Sequence, residues 1–194
     1  MEMSTLVALG GAGVAGAFTL YRTHRRIVVT GNEAEQALAS VDVQLRKRHD
    51  LVPHVVATAR KFMSHEAALL ERITELRARA AEPYDKASAG EIAAHLDAER
   101  ALHAEVRTLF SMAEGYPELK SDESMVRVQD TLEEVEGNIA AARRYYNMSV
   151  MHHRNAIETF PGNLLAGPME VRPWPYFETE SGTRGAVDVA KQFG

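Results

Sequence analysis

No cysteine occurs in the 194 residues, which excludes disulfides, thiolate zinc sites and cysteine nucleophiles. A reducing compartment is compatible with that count. Aromatic residues make up only 7% of the chain, and no hairpin dipeptide lies between alternating apolar runs, so nothing argues for a sheet. Positive charge is not in excess: the net charge is -5, and no clustered Lys/Arg face provides a nucleic-acid footprint. Nucleic acid is therefore not an expected partner.

Catalytic signatures are missing too. His65-Glu66 is followed by Leu69 where an H-E-x-x-H motif needs its second histidine. No Glu stands three residues before a His, which removes the Glu-x-x-His ligands of bundle di-iron proteins. No G-x-S-x-G elbow occurs, and Gly10 to Gly16 lie in an apolar run without the lysine of a phosphate loop. His95, Glu99 and His103 share one helical stripe and are the best remaining metal candidate, although solvated or seam-edge residues explain them more simply. The expectation is a protein without catalytic residue, metal or cofactor, and not an enzyme.

What is present is helical. Abundant Ala, Leu, Glu and Arg point to an all-α protein. Ser124 to Asn163 organises the chain, with an apolar seam at Met125, Val128, Leu132, Val135, Ile139, Ala142, Tyr146, Ser149, His153, Ala156 and Phe160. Steps of three and four sustained this long mark a bundle or coiled-coil helix. A second long segment runs from Ala34 to Ala80, with Arg48 and Glu66 occupying seam places. Arg48 is expected to pair with a buried carboxylate or carbonyl, while the run Arg46 to His49 reads as a solvated face. Pro53 predicts a kink or a fresh start capped by Asp50. Ser88 and Glu91 form a capping box for a middle helix that ends at Gly115-Tyr116-Pro117. The segment from Gly167 to Phe177 must be irregular because it holds three prolines, and its Trp174, Tyr176 and Phe177 would clamp it to the bundle.

At about 1.5 Å per residue these helices do not match in length. Either Pro53 folds the first one in two, giving four helices, or other chains cover its exposed stripe. On the first long helix and near Phe160, part of the seam then lacks a partner within the chain.

Met3 to Tyr21 carries no charge and is just long enough to span a hydrocarbon core. Arg22, His24, Arg25 and Arg26 follow, a cationic edge that the positive-inside rule assigns to the cytoplasm. The reading taken is an uncleaved anchor with the body inside. A cleaved signal peptide competes, because Ala15-Gly16-Ala17 has the form of a cleavage site, but Glu2 and the lack of Lys or Arg before the run oppose it; a soluble or interfacial helix is the third reading. Ile27 to Asn32 reads as a β-leaning interruption, with Asn32 as N-cap. The expected architecture is all-α: an N-terminal transmembrane helix, then an antiparallel bundle of three to four long helices. Residues 1–26 are the anchor and basic flank, 32–178 the bundle, and 179–194 a mobile tail.

From Val41 through Arg48, and at Asp50 to Pro53, the chain resembles the LemA family. The resemblance continues at Ala113 to Lys120 and is strongest at Ala142-Arg143-Arg144-Tyr145-Tyr146-Asn147 and Ala156 to Leu164. It implies a membrane helix, a cytoplasmic four-helix bundle and a family without an established molecular activity, associated with envelope maintenance and with a membrane metalloprotease. Its motif positions here are Gln44, Arg48, Asp50, Pro53, Tyr116, Pro117, Arg144, Tyr146, Asn147, Phe160, Pro161 and Asn163. The chain departs from the family at His153-Arg154, at Gly167 to Val171 and at Ala39.

The expected role is a self-associating membrane scaffold or adaptor, single-pass in a bacterial inner membrane with its body in the cytoplasm. Its partners would be lipid, further copies and other membrane proteins. An accessory factor of membrane-protein quality control, working with a membrane protease, is the alternative. Tyr146, Asn147, Phe160, Pro161 and Asn163 are expected to mark a packing junction, with the Asn side chains satisfying backbone groups there and a partner site at the same place as the competing reading.

Overall fold

The computed structural model describes residues 2–177, with side chains from Leu9 onward. The expected tail, 179–194, lies outside the described residues, as do the side chains of the first part of the expected anchor. Among the described residues there are helices and no strand. Helix α1 (Glu2–Phe62) is followed by a 3-10 turn (Ser64–Glu66), α2 (Ala67–Ala80), α3 (Ala89–Ala113), a short α4 (Pro117–Lys120), α5 (Glu123–Glu158) and a short α6 (Gly162–Ala166). From about Ile27, helices α1, α2, α3 and α5 form an up-down-up-down bundle. Arg72 of α2 meets Glu105 of α3, and Arg48 of α1 meets Glu136 of α5.

The first long helix is folded in two, but not at Pro53. Helix α1 runs unbroken through that proline, whose ring lies on the exposed side. A helical proline leaves the carbonyl four residues back without its donor. Here that carbonyl belongs to His49, and Arg77 of α2 donates its Nε to it at 2.7 Å. Asp50 caps nothing and is an exposed mid-helix residue. The reversal falls instead at Met63, which is fully buried among Ala59, Leu70 and Leu119. Neither proline nor glycine marks that corner; burial of Met63 fixes it.

The expected interruption at Ile27 to Asn32 is also helix. Ile27 is buried against Ala156 and Ile157, and Gly31 lets the His153 ring approach α1, where a Cβ would meet it at 3.4 Å. The seam beyond Tyr145 therefore has a partner within the chain, α1 itself, contrary to the length argument. Among the predicted seam residues of α5, Phe160 alone is exposed, and Ala142 is half-buried.

Capping follows local sequence. Asp122 accepts from the amides of Ser124 and Met125 at the start of α5. Ser88 accepts from the Glu91 amide at 3.3 Å. Glu91 does not close the expected box; its carboxylate takes the Asp85 amide at 2.7 Å instead.

The spanning helix expected at Met3 to Tyr21 is not supported. Among the described residues no helix is long and apolar enough to cross a membrane. From Leu9 onward, Gly10, Gly11, Gly13 and Gly16 dilute the apolar run, and Arg22 ends it. This part of α1 is exposed all round, with Leu9, Val14, Phe18 and Tyr21 uncovered.

Candidate functional site

Two apolar cores lie along the bundle, one built around Val52, Leu70, Leu102 and Leu109, the other around Leu38, Val41, Leu96 and Tyr146. Between them lies a layer of buried charge. Arg48 and Glu99 are each at most 2% exposed and form an ion pair. Arg48 also donates to the Glu99 carbonyl and to Glu136 Oε1, both at 3.1 Å. His49 Nε2 lies 2.8 Å from Glu99 Oε1, off the line of a hydrogen bond. His95 Nε2 lies 3.9 Å from both Glu99 Oε1 and Asp42 Oδ1.

Burial alone would push the Glu99 carboxyl up, but His49 and the Arg48 charge together outweigh it and hold the group below the ordinary range. Burial pulls His95 down, and the carboxylates of Glu99 and Asp42 only partly offset it. The His95 ring stacks on Tyr84 at 4.1 Å. The Tyr84 hydroxyl donates to Asp42 Oδ1 at 2.8 Å, and Lys86 pairs with Asp42 Oδ2 at 2.5 Å. Burial and then Asp42 push that phenol far up, so it stays a donor.

Asp42, His49, Tyr84, Lys86, His95 and Glu99 line a cleft of roughly 880 Å³, with Arg46, Lys47 and Arg77 around it. The stripe of His95, Glu99 and His103 does not converge. His103 turns to Glu136 Oε2 at 3.2 Å, and among the described residues no group of three or more His, Asp or Glu side chains is arranged to hold a metal ion. What this layer does chemically is hold the buried Glu99 carboxylate ionised against the Arg48 cation.

The second polar constellation lies where the proline-rich segment 167–177 straps across α5. Tyr146 is fully buried and its hydroxyl donates to the Pro175 carbonyl at 2.7 Å. Asn147 treats Phe177 as a strand partner would: Nδ2 donates to its carbonyl and Oδ1 accepts its amide, both at 2.9 Å. Arg154 donates to the Trp174 carbonyl at 3.1 Å and lies over the Tyr176 ring. Phe177 thereby enters the upper core, with Trp174 packed beside it. Tyr176 is largely exposed.

The other motif residues scatter. Arg144 and Asn163 are exposed, and Phe160 is 79% exposed. The Phe160-Pro161 bond is cis. Gly162 behind it is buried so tightly that a Cβ would stand 1.8 Å from the Ala156 carbonyl oxygen. Tyr116 and Pro117 begin α4 at the far end, where the Tyr116 hydroxyl donates to Glu66 at 3.3 Å. Gln44 points a buried, unpartnered Oε1 inward. Sequence reasoning missed His49, Arg77, Arg154 and the pairing of Glu99. A buried position for Glu99 on the stripe of Ile92, Leu96 and Leu102 was the one available signal.

A model of the LemA family matches residues 37–191, which span both constellations and most of the bundle. The chain belongs to the LemA family. No curated protein matches it.

Proposed function

We propose that this LemA-family protein is a non-catalytic scaffold held at a membrane by the first part of α1, with the bundle as the body that meets protein partners, its own copies included. The observation that carries the reading is the bare stretch from Leu9 to Tyr21: Leu9, Val14, Phe18, Leu20 and Tyr21 are all exposed. Contiguous uncovered apolar surface of this kind marks a protein or membrane contact. The cationic cluster Arg22, His24, Arg25 and Arg26 lies where that stretch ends, as expected at an anionic lipid surface with the body on the cytoplasmic side. For protein contact, Tyr145, Met148 and Met151 supply exposed apolar area on the outer side of α5.

Flotation with anionic lipid vesicles at neutral pH tests the anchor. The natural protein is expected to float with the lipid, and the double variant Val14→Arg/Phe18→Arg to remain at the bottom of the gradient. Natural protein recovered without lipid would overturn the reading.

A further inference from the structure

The turn between α5 and α6 exposes two large apolar side chains. Phe160 is 79% exposed and Leu164 is 60% exposed. The turn is nevertheless firmly built: Gly162 is pressed against the end of α5, and Leu165 and Ala166 pack on the cluster of Ile27, Ala156 and Ile157. Apolar side chains held outward on a rigid tip are not left over from a loose chain end.

Their level along the bundle can be read from register. Helices α1 and α5 are antiparallel, with Arg48 against Glu136, Thr30 against His153 and Ile27 beside Ile157. Continuing that register to the end of α5 sets Glu158 at about the level of Arg25 and Arg26, and the turn carries Phe160 just beyond it. The tip therefore stands beside the cationic cluster of Arg22, Arg25 and Arg26, where the uncharged run of α1 ends. The acidic group nearest in sequence is Glu158, whose Oε1 lies 3.8 Å from Arg154 Nη1.

We propose that this tip is a second membrane contact: Phe160 and Leu164 enter the interfacial layer of an anionic bilayer at the level where Arg22, Arg25 and Arg26 meet the lipid phosphates. The proposal rests on the reading that the start of α1 enters a membrane. Aromatic and apolar groups beside cations are the composition that binds an anionic lipid interface. Two contacts on one rigid end fix the tilt of the bundle, which a single helix could not do.

The absence of native cysteine allows a direct test. Full-length Tyr21→Cys, Phe160→Cys, Leu164→Cys and Ser121→Cys, each carrying an environment-sensitive fluorophore, are reconstituted into phosphatidylcholine/phosphatidylglycerol vesicles containing nitroxide-labelled lipid. A severalfold loss of emission is expected at 21, 160 and 164, with none at 121, which lies at the opposite end. Quenching at 21 alone overturns the second contact and leaves the anchor standing. Quenching at 160 and 164 but not at 21 supports the contact and overturns the anchor. Quenching nowhere overturns both, and quenching at 121 as well shows a bundle lying on its side, which also contradicts the proposal. Retained emission loss in Leu164→Cys guards against a Phe160 variant that fails to fold.

Discussion

Helix α1 is one uninterrupted helix in two environments. From Ile27 onward it buries a stripe through Leu38, Leu45, Val52 and Ala59; before Ile27 it buries nothing among the described side chains. An isolated helix gains little from propensity, and tertiary packing supplies most of a helix's stability. The later part is therefore held by its own chain, whereas the earlier part takes no support from the bundle. On the proposed reading, stability and attachment are separable properties of a single helix.

Breaking the later part should have the largest effect. Arg48→Met strands the buried Glu99 carboxylate without the cation it pairs with, and such losses cost about 3–5 kcal/mol. Chemical denaturation of Arg48→Met should show this, and Arg48→Met/Glu99→Leu should recover most of it. Removing the strap comes next. Asn147→Ala leaves both backbone groups of Phe177 unpaired and is expected to cost about 1–3 kcal/mol, with protease cleavage within 167–177 accelerated.

Acid should act on the same region. The folded values of His95 and His153 lie below the ordinary 6.5, burial being the leading cause in both. The unfolded chain therefore binds more protons just below that value, and stability falls as pH drops through it. Glu99 and Glu136 are also depressed; burial opposes this, but His49 and Arg48 for the first and His103 and Arg48 for the second prevail. Their stabilisation is present above the unfolded carboxyl range and is lost as pH falls through their folded values. The melting temperature should decline from neutral pH downward in two stages, and His95→Gln should flatten the first.

Arg77→Met tests the proline-freed carbonyl of His49. It should cost about 1 kcal/mol, and close to nothing in a Pro53→Ala background, where the helical amide is restored. The smallest effect belongs to the bare part: Phe18→Ala should move stability by less than about 0.5 kcal/mol, as exposed substitutions do. A larger loss would mean that the bundle itself covers this stretch.

The α5 seam was legible because its period is local and nearly every place on it is buried, Tyr146 and His153 included. Boundaries set by strong local chemistry were legible as well, such as Ser88 at the start of α3 and Gly115-Tyr116-Pro117 at its end. Pro53 misled because a proline signals a break only when the freed carbonyl has no other donor, and Arg77 is distant in sequence. Met63 was invisible for the complementary reason: a corner made by packing carries no turn residue. At Thr30-Gly31-Asn32 the apparent breaker was room for the His153 ring. Within the site, Arg48 could be read as a seam cation needing a partner, but the choice of Glu99 and His49 depends on how three helices meet. The strap's aromatics were legible as clamps, and Asn147 as a side chain that satisfies backbone groups; which groups it meets, and the pairing by Arg154, were not, since neither needs a particular residue on the strap.

Amide hydrogen exchange on the full-length protein, with and without anionic vesicles, tests the two environments of α1 most directly. Amides from about Ala34 to Ala59 should be protected in both conditions, and those from Leu9 to Arg22 only when vesicles are present. Protection of the Leu9 to Arg22 amides in dilute solution without vesicles would contradict the account.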